Sequence, residues 1–351
     1  MTVFSKPLRT ASAVAVTTAL MALGAIAHAA ENRVQRYTPG LAGSDLTSML
    51  VPGWYGQVAL VQYHATKLRG DNGDPYAVRT GVPLPVTVGK FRADAYIVQP
   101  RITYIGTQRL WGAHLGFTAM LPMMLRQTSL SNAQNAHPSP PTNATINGLV
   151  NPLLAARSGE AYGVGDLEIA PVLNWTIGDN QTITLAPTVV FPTGSYNASK
   201  PVNVGFGRYY TFRPSIQYGY IGDGWDIGVR TLLTFNSRNK ANGYKSGSVF
   251  NMDFALMKFI DEDVRVGLQG YVVKQFTNDH STDNTPVIGA QAQIQAEGGN
   301  KLQAYALGPA LGWLKNGGEL LVEGKILREF DVRNRAEGTT YMLTISKPLG
   351  M

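Results

Sequence analysis

Charged side chains in this sequence recur on one face of extended segments whose other face is apolar. In the segment Trp225–Asn236, for example, Asp226 and Arg230 share the polar face. Because the charges have both signs, they could form a polar interior whose electric field orients a solute. Alternatively, they could pair with one another and only fill and stiffen that interior. The candidates for lining such an interior are Arg101, Asp166, Glu168, Arg213, Asp226, Arg230, Asp253, Arg265, Glu323, Lys325 and Glu329.

A second kind of chemistry, hydrolysis, would need a histidine beside a carboxylate or a hydroxyl group. Only His280 has such neighbours, because Asp279, Ser281 and Asp283 surround it. Adjacent positions on an extended chain point in opposite directions, so this polar stretch favours a solvated loop over an active site. The other histidines downstream of residue 29 are His64, His114 and His137, and they lack such neighbours.

Cofactor and metal chemistry find no support in the residue pattern. The sequence contains no cysteine, so disulfides and thiolate metal sites are excluded. The histidines lack the spacing of zinc ligands, and no glycine-rich loop resembles a phosphate cradle. No basic patch with interleaved aromatic residues indicates nucleic-acid binding. We therefore expect no metal, no cofactor and no nucleic-acid partner.

The clearest structural signal is a predicted hairpin over Gly165–Phe191. Its first strand places Leu167, Ile169, Pro171, Leu173, Trp175 and Ile177 on one face, and its second strand alternates in the same way after the turn at residues 178–181. Soluble strands usually have about 5 or 6 residues, whereas a tilted membrane-spanning strand needs about 9 to 11. The length and the apolar face predict that this hairpin crosses a membrane.

Similar alternation elsewhere predicts an all-β transmembrane barrel of about twelve antiparallel strands in up-and-down order. Short connectors alternate with long ones, as expected when short turns lie on the periplasmic side and long loops lie outside. Both termini should then be periplasmic. The further alternating segments are Tyr55–Thr66, Ala93–Ile105, Trp111–Leu121, Phe206–Ile221, Trp225–Asn236, Val249–Phe259, Val264–Gln275, Leu302–Leu314, Leu320–Asp331 and Thr339–Lys347.

Two features complicate this prediction. Residues 122–163 contain a proline-rich stretch, from which we expect one long irregular surface loop. Prolines also occur within the predicted strands, where they remove a backbone donor and are expected to cause bulges or kinks. These strand prolines are Pro100, Pro171, Pro187, Pro214 and Pro309.

The N-terminal region has the pattern of an export signal. Lys6 and Arg9 precede an apolar run that ends at a small-residue cleavage site, so residues 1–29 are expected to be removed. Removal would reduce the net charge from +7 to +5. No later apolar run is long enough for a spanning helix. Residues 30–53, with a helix start at Ser44, are expected to hang in the periplasm or to plug the barrel, and residues 54–351 are expected to form the barrel.

Several short segments, most of which contain glycine, resemble a known family. They are Pro52-Gly53-Trp54-Tyr55, Gly163-Val164-Gly165-Asp166-Leu167, Pro192-Thr193-Gly194-Ser195-Tyr196, Asn203-Val204-Gly205, Tyr244-Lys245-Ser246-Gly247, Gln275-Phe276-Thr277-Asn278-Asp279 and Leu307-Gly308-Pro309. In this order they are similar to the outer-membrane proteins related to the transporters of the phenol meta-cleavage pathway. The resemblance implies a single barrel associated with uptake of hydrophobic or aromatic compounds.

Together these observations favour a monomeric channel in the bacterial outer membrane. We expect it to pass small hydrophobic or aromatic solutes passively, to contact outer-membrane lipid and to be inserted by the outer-membrane insertion machinery. About twelve strands should leave a narrow conduit. The alternatives are an outer-membrane hydrolase and a structural or adhesive surface barrel.

Overall fold

The protein folds as a closed β-barrel. The structure, a computed structural model, describes residues 34–78, 86–135, 142–285, 289–315 and 318–350. Within them, twelve wall strands join in one antiparallel ring, which confirms the predicted all-β barrel and its strand number. The expected signal peptide, residues 1–29, lies outside the described residues.

Eight wall strands are continuous, and four are interrupted once. The continuous strands are β1 (Gly53–Leu68), β2 (Val86–Leu110), β7 (Trp225–Asn236), β8 (Val249–Phe259), β9 (Val264–Gln275), β10 (Gln303–Lys315), β11 (Leu320–Arg333) and β12 (Ala336–Gly350). The interrupted strands are β3 (Ala113–Met120 and Met123–Asn135), β4 (Gly159–Val164 and Leu167–Ile177), β5 (Gln181–Leu185 and Thr188–Phe191) and β6 (Thr211–Arg213 and Ser215–Gly222).

The ring closes where β1 pairs with its two neighbours. Leu60 lies opposite Val98 of β2 on one side and opposite Leu343 of β12 on the other. Closure matters because the hydrocarbon core of a membrane offers no partner for the backbone groups of an open sheet edge. The two ends of the barrel differ, with tight turns at one end, which we call the short-turn end, and most long connectors at the other, the long-loop end.

The alternating sequence pattern gives the wall an apolar outer face and a polar inner face. On β7 the side chains of Ile227, Leu233 and Phe235 are exposed, whereas Asp226 and Thr234 are buried. In a soluble protein the apolar side chains would be buried and the polar ones exposed. The exposed apolar face matches contact with lipid, and the polar face encloses the lumen.

The four interruptions lie on adjacent strands. Pro122 separates the two parts of β3, Pro187 lies in the gap of β5, and Pro214 lies in the gap of β6. The gap in β4 falls at residues 165–166. Pro100, Pro171 and Pro309 instead lie inside continuous strand segments, so only two of the five strand prolines interrupt their strands. Proline lacks the donor that a regular ladder needs, which explains the breaks at Pro187 and Pro214.

Several boundary predictions were wrong, including that of β2, which runs over Val86–Leu110 rather than Ala93–Ile105. Residues 122–163 are not one irregular loop, since they contain the second part of β3, the first part of β4 and helix α1 (Asn143–Ala155). Buried Leu130 and Ala133 of β3 pack against Ile146, Val150 and Leu154 of this helix, and apolar residues on both strand faces hide the alternation. Residues 206–210 are not strand, and the connector from β11 to β12 is only residues 334–335.

Smaller elements complete the fold. Ala77–Val78 pairs with the start of β2, and Tyr244–Lys245 pairs with His280–Ser281 above the barrel. Helix α2 (Ala290–Ala296) lies in the same connector as His280. Of the helices in the described ranges, none is long and apolar enough to span a membrane.

The residues before β1 form a segment that runs back through the lumen. Its only regular element is one 3₁₀ turn, Ser44–Leu46, close to the expected helix start. Arg36 contacts Tyr209 near the long-loop end, whereas Gly53 begins β1 at the short-turn end. The described chain therefore begins far from the periplasmic mouth, where the connector pattern predicts the N-terminal side to lie. We call residues 34–52 the lumen segment.

A pair of adjacent cysteine substitutions tests the orientation of the wall. In β6, Ser215 lines an internal cavity, whereas Ile216 is half exposed on the outer face. We expect Ser215→Cys to react with a water-soluble thiol reagent and Ile216→Cys to react only with a lipid-soluble one. The native chain has no cysteine to interfere. Equal labelling of both positions by the water-soluble reagent would contradict this register.

Candidate functional site

Arg36 binds the lumen segment to the wall near the long-loop end. Its Nη1 donates to the carbonyl oxygen of Tyr209 at 2.5 Å, and its Nη2 donates to the carbonyl oxygen of Gly207 at 3.1 Å. Nη2 also lies 3.0 Å from Oδ2 of Asp166, and the guanidinium stacks over the Tyr209 ring at 3.8 Å. A buried guanidinium needs such partners because its desolvation is costly. The segment is thereby fixed to the long-loop end.

Asp166 also holds the connector between β5 and β6. The backbone N–H of Gly194 donates to its Oδ1 at 2.9 Å, and that of Phe206 approaches its Oδ2 at 3.3 Å. Gly194 and Gly205 lie so close that a side chain on either would collide with the other's backbone. One carboxylate thus joins the segment that contains it to Gly194 and to Phe206, the residue directly after Asn203-Val204-Gly205.

The middle of the lumen segment wraps around Asp253 of β8. The backbone N–H groups of Gly40 and Ala42 donate to its carboxylate at 2.9 and 3.2 Å, and the Tyr37 hydroxyl donates to it as well. The carboxylate is buried, and Nη2 of Arg230 lies 3.8 Å away. Hydrogen bonds to a charged group contribute about 1.5–3 kcal/mol each. Asp253 therefore attaches the middle of the segment to the wall.

Residues 42–46 of the segment are tied to several strands of the wall. Nη2 of Arg101 on β2 donates to Oδ2 of Asp45 at 2.5 Å, and Nζ of Lys325 on β11 donates to the Ala42 carbonyl at 2.9 Å. Leu46 packs directly on the backbone of β7, since a Cβ added at Gly228 would lie 2.4 Å from the Cβ of Leu46. Glycine at this position permits the close approach of segment and wall.

The structure places all the predicted lumen-lining residues inside the barrel, mostly as ion pairs. Besides the pairs above, Arg265 donates to Asp226, Nη2 of Arg213 lies 2.9 Å from Glu168, and Nζ of Lys325 lies 3.5 Å from Glu323. Glu329 joins Arg335 and two tyrosine hydroxyls, those of Tyr63 and Tyr271. Sequence reasoning missed Arg36, Tyr37 and Asp45, because their partners lie far along the chain.

Between the lumen segment and strands β2–β6 lies a cavity of about 730 Å³. It extends from the short-turn end, at Gly318 and Lys347, to the middle of the barrel, at Glu168 and Arg213. Its wall mixes apolar surface and hydroxyl groups with charged side chains such as Arg101, Glu168 and Arg230. The lining residues with hydroxyl groups include Thr103, Thr118, Thr184, Thr188 and Ser215, and the apolar ones include Leu41, Met120, Val172 and Leu232.

A second buried carboxylate organises the connectors at the long-loop end. Asp279 accepts hydrogen bonds from the Tyr244 hydroxyl, the Gly247 backbone N–H, the Gln275 amide and the Asn300 amide. Burial raises the pKa of the Asp279 carboxyl, although these donors lower it. The cluster ties together the connectors that follow β7 and β9.

The geometry around His64 and His280 does not resemble a hydrolytic site, and His137 lies outside the described residues. His280 is exposed and pairs through its backbone with Lys245, while the neighbouring Asp279 carboxylate is buried and occupied by other donors. Nδ1 of His64 lies 2.7 Å from Asp94. The other side chain bonded to this carboxylate is Arg92, on the outer face, and a guanidinium is not a nucleophile. Among the described residues, no group of three or more histidine, aspartate or glutamate side chains could hold a metal ion.

Comparison with known proteins agrees with this architecture. The family model described as "Putative MetA-pathway of phenol degradation" matches residues 56–345. The COG4313 outer-membrane channel from Pseudomonas putida F1 superposes with a TM-score of 0.63, at 15% identity, over 89% of this chain and 99% of that chain. A FadL homologue from Pseudomonas aeruginosa gives 0.39, at 8% identity, over 85% and 91%. No curated protein matches in sequence.

Removing the Asp253 carboxylate should loosen the lumen segment. We expect Asp253→Ala to raise single-channel conductance in planar bilayers severalfold, because the segment loses three hydrogen bonds of about 1.5–3 kcal/mol each. Tyr37→Phe, which removes one of them, should give a smaller increase. The control is Asp331→Ala, since the Asp331 side chain is half exposed. Unchanged conductance in a folded Asp253→Ala barrel would show that Asp253 does not hold the segment.

The Asp279 cluster gives a second prediction. Asp279→Ala should make the connectors after β7 and β9 more sensitive to protease added outside intact cells, because four donors lose their shared acceptor. Asp283→Ala is the control, because among the described residues the Asp283 carboxylate bonds within its own connector, to Thr285 and Ala290. Equal cleavage rates in the two variants would contradict the role given to Asp279.

Proposed function

We propose that this chain, which belongs to the family of the putative MetA-pathway of phenol degradation, is a passive outer-membrane channel for small hydrophobic or aromatic compounds. The observation that carries the proposal is the 730 Å³ cavity inside a barrel whose outer face is lipid-compatible. A cavity of this size lies within the range that encloses small-molecule ligands. The description of the family and the structural likeness to the COG4313 outer-membrane channel support the same class of function.

The lining of the cavity suits solutes that are mainly apolar but carry a polar group. Leu41, Met120 and Leu232 offer apolar contact, and Thr103 and Ser215 offer hydroxyl groups that can donate or accept. Binding sites for small molecules commonly combine an apolar lining with a few convergent polar groups. Apolar wall remains between the paired charges for contact with an aromatic ring.

The lumen segment closes the path toward the long-loop end. The cavity ends near Arg213 and Glu168, and above it Arg36 and Tyr37 are hydrogen-bonded to the wall. Passage of a solute along the barrel axis therefore requires the segment to move. We propose that residues 34–52 act as a plug rather than as a free periplasmic tail.

The geometry favours transport over the two alternative functions. An outer-membrane hydrolase would need a histidine oriented toward a nucleophile, and neither His280 nor His64 has that arrangement. An adhesive barrel would have no use for a cavity that reaches half-way through the lumen. We further propose that the chain acts as a monomer, is inserted by the outer-membrane insertion machinery and uses no cofactor.

Uptake measurements test the channel function. Cells lacking the protein should accumulate a hydrophobic aromatic compound such as toluene more slowly at low external concentration, where crossing the outer membrane limits supply. The difference should shrink at high concentration. Complementation with His280→Ala should restore uptake fully, because His280 lies on an exposed connector. If uptake does not depend on the protein, while His280→Ala abolishes a hydrolytic activity, the enzyme alternative replaces the channel.

A further inference from the structure

A cluster of basic side chains lies on the outer face of the barrel near the long-loop end. It consists of His64, Lys67 and Arg69 from β1 and its extension, Arg92 from β2 and Arg328 from β11. We call this cluster the basic belt. It belongs neither to the lumen nor to the cavity, and the proposed channel function makes no use of it.

Strand pairing places Arg328 and His64 in one row across neighbouring strands, and Lys67, Arg69 and Arg92 lie next to that row on its long-loop side. Arg328 of β11 lies opposite Thr339 of β12, and Thr339 lies opposite His64 of β1. His64 in turn lies opposite Asp94 of β2. Because directly opposite residues on a pair of strands share a face, all these side chains point outward together.

Most of the exposed apolar surface of these strands lies on the short-turn side of this row, although Phe330 on β11, 52% exposed, lies on its long-loop side. Two residues closer to the short-turn end on the same strands lie Ile326 on β11, Tyr341 on β12 and Tyr96 on β2, each 46% exposed. Tyrosines are enriched where a barrel meets the membrane–water interface. The basic belt therefore lies at the height of the lipid headgroups rather than in the hydrocarbon core.

Two carboxylates, those of Glu337 and Asp94, pair with the cations of the basic belt. Glu337 lies within 3.3 Å of Nζ of Lys67, 2.5 Å of Nε of Arg69 and 3.6 Å of Nη2 of Arg328. Asp94 lies 2.5 Å from Nε of Arg92 and 2.7 Å from Nδ1 of His64.

Burial separates the two signs of charge. The side chains of Glu337 and Asp94 are 10% and 5% exposed, whereas those of Lys67, Arg92 and Arg328 are 51%, 63% and 54% exposed. Four permanent cations, Lys67, Arg69, Arg92 and Arg328, thus meet two carboxylates, and the excess charge is positive. The surface that faces the headgroups is cationic even though ion pairs organise it.

We infer that the basic belt binds the phosphate groups of the phosphorylated glycolipid that forms the outer leaflet of the outer membrane. Clusters of lysine and arginine beside a membrane surface attract anionic headgroups. Arginine guanidinium groups bind phosphate oxygens through two parallel hydrogen bonds, and carboxylates that orient the guanidinium reduce the cost of ordering it. The apolar row below would contact the acyl chains of the same lipid.

The inference can be tested on the purified, folded protein with diphosphorylated lipid A as the probe. We expect lipid A to raise the temperature at which the folded band on a gel converts to the unfolded one, because a ligand of the native state stabilises that state. Lipid A from which both phosphates have been removed should give no increase. Inorganic phosphate at the same phosphate concentration should also give none, which distinguishes a lipid site from a site for free phosphate.

Substitutions in the basic belt test whether lipid A stabilises the protein by binding there. The triple variant Lys67→Gln, Arg92→Gln, Arg328→Gln should lose most of the stabilisation by lipid A. The matched control, Arg109→Gln with Lys258→Gln, removes cations at the short-turn end and should respond like the wild type. If the triple variant does not fold, Arg92→Gln and Arg328→Gln are measured singly, each expected to lose part of the effect, with bound lipid A counted by native mass spectrometry. Equal stabilisation in wild type and belt variants, or equal stabilisation by dephosphorylated lipid A, would overturn the inference.

Discussion

The structure depends on one constraint, namely that no backbone N–H or C=O group in the wall can be left unpaired in hydrocarbon. Pairing of β1 with β12 meets it by closing the ring of strands. Closure turns one face of every strand toward lipid and the other toward an enclosed interior, so alternation along the sequence becomes the division between apolar exterior and polar lumen. The interior charges must then find partners inside the barrel, because an isolated buried charge is costly.

The lumen segment meets part of that second requirement. Asp253 receives donors from Tyr37, Gly40 and Ala42, and Arg101 receives Asp45 as its partner. The wall thus carries charged groups whose hydrogen-bonding and ionic partners come from the lumen segment. The cavity remains on the side of β2–β6. Closure of the barrel, neutralisation of its interior and obstruction of its lumen are consequently parts of one arrangement.

The sequence alone predicted the strands and side-chain orientations that follow from local alternation of apolar and polar residues. In Trp225–Asn236 the two faces differ so clearly that the strand, its orientation and the inward positions of Asp226 and Arg230 could all be predicted. Sequence reasoning failed for Met123–Asn135, where Leu130 packs inward against helix α1 and both faces carry apolar residues. It could not foresee the contacts of Arg36 with Tyr209 and Asp166, because no local pattern specifies partners more than a hundred residues away.

In the proposed channel, solutes pass through the lumen and the lumen segment must move to admit them. A disulfide between Leu46→Cys and Ala255→Cys, two positions in one buried cluster of segment and wall, would test this in a chain without other cysteines. The measurement is uptake of phenyl glucoside, an uncharged aromatic solute, into proteoliposomes, before and after reduction. We expect uptake to be absent while the disulfide is intact and to appear on reduction. Equal uptake in both states would contradict a moving plug.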